Sequence, residues 1–196
     1  MNHILTLLLA IFTLACTASE PQQTEPKKPA NIIFLIGDGM FASAVSTGFY
    51  FGDQPSVFNR FQEIGLQQTS SATHKVTDSA ARGTSLATGT KTYNGAIGLD
   101  TSEVAHENIA ELLASLGWST GVVATSTISH ATPASFYAHV KLRAMEETIA
   151  AQLLESEIDF FAGGGRDKFN KRSDSTDLLP LAAEKGFIID TTALAI

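Results

Sequence analysis

Short apolar runs alternate with amphipathic stripes along most of this chain, and that alternation restricts its fold more than any other feature. The first run, residues 31–36, is continuously apolar and ends in Gly37-Asp38-Gly39, as expected of a strand buried on both faces. Further apolar runs at residues 121–125, 158–162 and 187–189 predict three more strands.

Helical patterns separate these runs. Residues 104–116 place apolar side chains on one stripe before Gly117, and residues 144–155 and 178–185 show similar patterns. Strands that alternate with helices predict an α/β fold, with a mostly parallel sheet flanked by helices on both faces. The chain stops in an apolar stretch at residues 193–196, so we expect the fold to be incomplete at its C-terminus.

The carboxyl ends of parallel strands meet at one edge of the sheet, where ligands bind in folds of this kind. Asp38, the residues after Thr125 and the glycine turn at residues 163–165 all follow predicted strands. The sequence therefore predicts that a functional site is assembled from these three segments.

Charge narrows the range of partners. Twenty acidic and 13 basic residues give a net charge of -7. Nucleic-acid binding usually depends on a basic patch, so we expect no nucleic-acid partner. A phosphate-bearing substrate remains compatible with this charge, because bound metal ions reverse the local sign.

The first 30 residues indicate export. Residues 4–15 form an uncharged apolar run that is too short for a stable membrane anchor and is typical of a secretory signal, and residues 1–18 are predicted to be that signal. Cleavage after Ala18 and cleavage before Cys16, which would expose the cysteine for lipid attachment, both fit. Residues 19–30 are polar and predicted to be a disordered tether. We expect a periplasmic, outer-membrane-anchored or secreted protein.

Ser79 is the candidate nucleophile. It follows Asp78 at the predicted start of a helix that runs through Thr88 and is closed by Gly89. A serine at this place faces free backbone N–H groups and the positive end of the helix dipole, and both favour a phosphoryl group. An Asp-Ser pair that merely caps the helix would look the same at this length of motif.

Longer motifs around Ser79 decide between these readings. The segment V-T-D-S-A-A (residues 76–81) is followed by K-T-Y-N-G-A-I-G-L-D (residues 91–100), and together they closely resemble bacterial alkaline phosphatases. The resemblance covers residues 31–196 and implies the N-terminal part of the catalytic domain. Arg82 departs from the pattern, because the family has a small residue there. We expect its side chain to point to solvent.

The resemblance also implies roles for four other residues. Asp38 matches the family aspartate that bridges one zinc and the magnesium, and a carboxylate suits a hard cation. Thr132 matches the threonine that reaches the magnesium, although a role as the cap of a helix with Pro133 in its first turn would also explain it. His130 stands where family members carry aspartate or histidine. Arg143 matches the arginine that grips the substrate phosphate, and a guanidinium fork fits two phosphate oxygens.

The implied reaction is hydrolysis of a phosphate monoester through a phosphoserine at Ser79, with two zinc ions and one magnesium ion. Asp38, Ser79, His130 and Thr132 are too few to complete two zinc sites. We therefore expect a longer polypeptide to be the enzyme and the 196-residue chain alone to be inactive. Family members are often homodimers, which makes a homodimer an expectation here.

Two other functions remain open at this point. A phosphodiesterase or sulfatase-like hydrolase would keep the superfamily but change the substrate; a serine nucleophile disfavours the first, and the sulfatase motif is absent. A surface-anchored binding domain without catalysis would belong to another class. His139 carries no catalytic expectation, and packing is the role predicted for it.

Overall fold

The computed structural model describes residues 31–192, and the chain divides into one unit that ends at Ile36 and a second that begins at Gly37. The predicted signal, Cys16, the tether and the last four residues lie outside the described range. No helix within residues 31–192 combines the length and the apolar character needed to cross a bilayer.

The second unit has seven α-helices and two strands among its described residues. The helices are α1 (Ala42–Phe51), α2 (Ser79–Thr88), α3 (Ile109–Ser115), α4 (Ala131–Ala134), α5 (Glu146–Glu155), α6 (Asp167–Asn170) and α7 (Leu178–Glu184), and a 3₁₀ turn spans Val57–Arg60. The strands are β1 (Gly121–Thr127) and β2 (Phe160–Gly164). The predicted order of helix and strand is confirmed from residue 104 through α7.

The sheet is parallel. Gly121 pairs with Phe160 at one end of the ladder and Thr127 with Gly164 at the other, with an irregularity between Val123 and Thr127. Immediately after β1 the Ile128 N–H donates to the carbonyl of Gly164, the last residue of β2, at 2.9 Å. Parallel pairing is what the strand–helix–strand pattern predicts, and the α/β class is confirmed.

The core lies where β1 meets α4 and α5. Ile149 and Leu153 of α5 are completely buried, together with Ala134 and Ile97. Phe161 of β2 connects this core to the C-terminal segment, because its ring stacks on Phe169 and meets Phe187 edge-on. Val122 and Ala124 of β1 pack against the same core. Val123, between them on the other face of the strand, is 71% exposed.

Two strand predictions are wrong. Residues 31–36 and 187–189 form no strand, and Ile33 is 83% and Ile188 100% exposed. A strand exists only through a neighbour that accepts its hydrogen bonds, and the one ladder among residues 31–192 joins β1 to β2. Apolar composition indicates that a segment can be buried in a sheet, but it does not supply the pairing partner.

Local capping chemistry explains where α2 and α3 begin and end. Helix α2 has its predicted bounds, with Asp78 as N-cap and Gly89 in the left-handed conformation at φ 72°. Helix α3 begins later than predicted. Asn108 and Glu111 form a capping box that fixes its start, and the Asp100 carboxylate accepts N–H bonds from residues 102 and 104 in the preceding turn.

Candidate functional site

A turn at residues 37–40 presents Asp38 to the start of α2. The Met40 N–H donates to the Gly37 carbonyl at 3.1 Å, and Gly39 has φ +67°, which a residue without Cβ adopts readily. The Ser79 hydroxyl oxygen lies 3.0 and 3.1 Å from the two carboxylate oxygens of Asp38. The turn and the helix start thus bring together two residues that are 41 positions apart in sequence.

Thr132 joins the same group. Its hydroxyl donates to Asp38 Oδ2 at 3.2 Å, so one carboxylate receives hydrogen bonds from both hydroxyls. Thr132 lies inside α4, whose N-cap is His130, so the alternative reading of Thr132 as the cap of this helix is wrong. The structure therefore brings Asp38, Ser79 and Thr132 into one cluster of oxygen atoms.

Close packing of α2 on α4 makes this cluster possible. A Cβ at Gly83 would lie 2.5 Å from Ser135 Oγ and 3.5 Å from the Thr132 Cα, so a larger residue at position 83 would push the two helices apart. Ala80, Ala81, Thr84 and Ala87 fill the rest of the buried face. Small residues in α2 thus hold Ser79 and Thr132 at the distance that Asp38 spans.

Arg143 forms a second group beside the first. Its guanidinium lies 3.4 Å from Asp78 Oδ2 and 2.8 Å from Nε2 of His130. Because a guanidinium only donates, His130 Nε2 accepts and the ring hydrogen resides on Nδ1. The Asp78 carboxylate and the His130 ring thus orient Arg143, and Asp78 is the residue immediately before Ser79 in the sequence.

Asp78 and Asn94 contribute more than the sequence indicated. Asp78 Oδ1 accepts the Ala81 N–H at 2.9 Å as the helix cap, while its other oxygen faces Arg143. Asn94 holds this segment, since its amide accepts from the Asp78 N–H and donates to the Val76 carbonyl. The Arg143 N–H in turn donates to the Gly95 carbonyl at 2.7 Å. The Y-N-G stretch therefore braces both groups, a role that its polar turn composition alone did not reveal.

Buried hydroxyls support the loop after β1. Tyr137 is 3% exposed and donates its phenol hydrogen to the Ile128 carbonyl at 2.7 Å. Burial raises the pKa of Tyr137, so the phenol keeps its proton and remains a donor. The Ser129 hydroxyl donates to Glu146 Oε2 at 2.9 Å. Both contacts fix the backbone immediately before His130.

The role predicted for His139 changes. The side chain does more than pack, because its ring nitrogens lie 2.9 Å from the Gly98 carbonyl oxygen and 2.8 Å from Glu111 Oε1. Its backbone N–H donates to Gln152 Oε1. His139 connects the loop after α4 to α3 and α5, away from the cluster of Asp38, Ser79 and Thr132.

The oxygen cluster suits a hard divalent cation, since a carboxylate and two hydroxyls offer the oxygen ligands that Mg²⁺ and similar ions prefer. It forms only part of a site. Within residues 31–192, no three His, Cys, Asp or Glu side chains come close enough together to hold a metal ion.

Fold and site together define a class. The molecule is an α/β protein in which a serine at the head of a helix donates to a carboxylate, and an arginine pairs with the aspartate that precedes this serine.

Comparison with known proteins identifies the family. A profile of the family described as "Alkaline phosphatase" matches residues 29–186. Alkaline phosphatase 4 of Bacillus subtilis is 39% identical over 158 residues, and the match covers 72% of this chain and 34% of that protein. The alkaline phosphatase of Escherichia coli is 35% identical, with 78% and 39% covered. The chain belongs to the alkaline phosphatase family.

Comparison with solved structures points to the same family. The alkaline phosphatase of the Antarctic bacterium TAB5 superposes with a TM-score of 0.79 at 48% identity, covering 80% of this chain and 46% of that one. Variants of the TAB5 enzyme in which one histidine is replaced by aspartate or glutamate have Mg bound in a site designated M3. The chain thus spans less than half the length of these relatives.

Proposed function

We propose that the polypeptide containing this chain hydrolyses phosphate monoesters through a phosphoserine at Ser79. The observation that carries the proposal is the hydrogen bonding of Ser79 Oγ to Asp38 at the head of α2, one residue from the Asp78–Arg143 pair. Membership of the alkaline phosphatase family supports the reaction class.

Several groups of this chain have separate roles in the proposed reaction. The Ser79 hydroxyl directs its hydrogen at Asp38, which leaves an oxygen lone pair for phosphorus. An Oγ–P bond forms while the P–O bond to the alcohol breaks, and the proton given up by Ser79 passes through solvent to the alcohol oxygen, so the alcohol leaves neutral. Water later cleaves the Oγ–P bond, which returns a proton to Ser79 Oγ and releases phosphate. Arg143 supplies a two-pronged contact to the phosphate oxygens, and the free N–H groups at the start of α2 add partial positive charge.

We propose that the complete protein binds two zinc ions and one magnesium ion. This chain would provide part of their ligands, namely Asp38, Ser79, Thr132 and His130. When bound, the metals would promote ionisation of the serine hydroxyl and offset the charge of the phosphate. Three oxygen donors within hydrogen-bond distance of one another support the assignment of Asp38 and Thr132 to the hard cation. His130 contacts Arg143 at 2.8 Å and would tune that site.

The 196-residue chain alone is proposed to be inactive, because Asp38, Ser79, His130 and Thr132 are too few to complete two zinc sites. Hydrolysis of p-nitrophenyl phosphate with zinc and magnesium, compared between this chain and the complete polypeptide, tests both claims. Turnover only by the complete polypeptide, abolished by Ser79→Ala, is the expected result. Rapid turnover by the 196-residue chain would overturn the inactivity, and an inert complete protein that folds and binds zinc would favour the non-catalytic binding domain.

Export completes the proposal. The apolar run at residues 4–15 supports a signal, and we propose a periplasmic, outer-membrane-anchored or secreted protein that is a homodimer. Mass spectrometry of the mature N-terminus would distinguish a lipid-modified Cys16 from a start at Ser19. A mature chain that still begins at Met1 would contradict export. Light scattering on the complete protein tests the dimer.

A further inference from the structure

Arg82 departs from the expectation that it points to solvent. It lies on α2 one turn after Ser79, and its guanidinium carbon is 5.9 Å from the centre of the Phe41 ring. Its Nε is buried yet has no hydrogen-bond partner within residues 31–192. Arg143 and Arg172, in contrast, each face an aspartate.

The position of Phe41 places this pair beside the nucleophile. Phe41 follows Asp38 by three residues in the turn that leads into α1, and Asp38 accepts from Ser79. Residues three apart on a helix have neighbouring side chains, so Arg82 and Ser79 border the same surface of α2. The turn at residues 37–41 thus lies along α2, with Asp38 at Ser79 and Phe41 at Arg82.

Stacking on an aromatic ring leaves the N–H groups of a guanidinium available. A cation–π contact at a partly exposed site contributes about 0.5–1 kcal/mol, which does not replace the hydrogen bonds that a buried donor loses. An anion could contact the two terminal nitrogens of the guanidinium, whereas the buried Nε is closed to a ligand from solvent. In a chain with a net charge of -7, an arginine that forms no ion pair with any carboxylate of residues 31–192 is a suitable receptor for an anionic ligand group.

We propose that Arg82, backed by Phe41, binds a second anionic group on the alcohol portion of the substrate. The preferred substrates are then phosphate monoesters whose leaving group carries a carboxylate or another phosphate. This inference rests on the proposed function, since it names the substrate class of the same site. Arg143 binds the phosphate that is transferred, and Arg82 binds the charge beyond it.

Two uncleavable probes test the subsite on the complete polypeptide: 4-carboxybenzylphosphonate and its uncharged analogue 4-carbamoylbenzylphosphonate. Calorimetry should show that the wild-type protein binds the carboxylate about tenfold more tightly, as one charge-assisted contact would provide. Arg82→Gln should remove that preference and leave the Kd of the carbamoyl probe within about twofold. Arg82→Lys should retain part of it, and Arg166→Gln, at an exposed arginine elsewhere, should retain all of it.

Each outcome of the binding experiment either supports or overturns the anion subsite at Arg82. An equal loss of affinity for both probes in Arg82→Gln would assign Arg82 to the transferred phosphate or to the helix, and would overturn the subsite. No loss for either would overturn it as well, as would failure of both probes to bind the wild-type protein. Charge-selective binding that depends on Arg82, in a protein that does not hydrolyse p-nitrophenyl phosphate, would keep the subsite and refute the proposed reaction. Thermal melting checks that every variant is folded.

Discussion

Asp78 shows how one side chain can serve structure and chemistry together. One of its oxygens caps α2 and the other faces Arg143, so the start of the helix and the direction of the guanidinium depend on the same carboxylate. Ser79 lies between these two interactions. A change at position 78 therefore affects both the start of α2 and the orientation of Arg143, the residue proposed to bind phosphate.

Replacement of Asp78 by asparagine should weaken phosphate binding. The amide oxygen can still accept the Ala81 N–H, but the charge opposite Arg143 is lost, and this pair is partly exposed. We expect the inhibition constant of inorganic phosphate to rise about fivefold, since an ion pair of this kind contributes about 1 kcal/mol.

The control for this experiment is Glu107→Gln, which removes one exposed carboxylate away from the site. It should leave the inhibition constant unchanged. Phosphate inhibition that is unaltered in Asp78→Asn would show that Arg143 does not need this carboxylate.

At the scale of single elements, the sequence predicted α2 well and the first strand poorly. The cap at Asp78 and the stop at Gly89 are local signals, and they determined both ends of the helix. Pairing of residues 31–36 is not local, so apolar character alone could not establish it. The contact of His130 with Arg143 was also beyond prediction, because it depends on how the loop between α4 and α5 folds.

Packing of α2 on α4 gives a direct test at this scale. Gly83→Ala should destabilise the fold by about 1–2 kcal/mol, because overpacking at Ser135 outweighs the gain of about 1 kcal/mol in helix propensity. Chemical denaturation measures the loss. The double variant Gly83→Ala/Ser135→Gly should recover part of it.

Gly48→Ala is the matched control, because a Cβ there meets nothing within 4 Å and the residue lies in helix α1. It should stabilise the protein or leave it unchanged. Gly83→Ala variants as stable as the wild type would mean that α2 and α4 can separate without cost, and the close approach would not explain the glycine.

For the whole molecule, acid is the condition that most affects stability. The pKa of Asp174 is lowered to about 2 by hydrogen bonds from Arg172, and those of Asp100 and Glu147 are lowered by backbone and side-chain donors. A carboxyl whose pKa is lower in the folded state contributes stability above its unfolded value, and that contribution is lost as the pH falls toward the folded value. Stability should therefore decline between about pH 4 and pH 2.

Asp174→Asn tests this linkage. It should lower the Tm at pH 7 and make the Tm less dependent on pH below about 4, because the group that takes up the proton is gone. Thermal melts across that range measure both effects. The same shift at every pH would mean that the Asp174 charge is not the origin of the acid sensitivity.

Ser79 is the residue proposed to carry the phosphoryl group, and every other role proposed for the site depends on it. The complete polypeptide, incubated with labelled inorganic phosphate, quenched in acid and digested, should yield one labelled peptide, and tandem mass spectrometry should place the phosphoryl group on Ser79. Ser79→Ala should yield none. A label on any other residue, or unchanged labelling of the Ser79→Ala variant, would contradict the central claim.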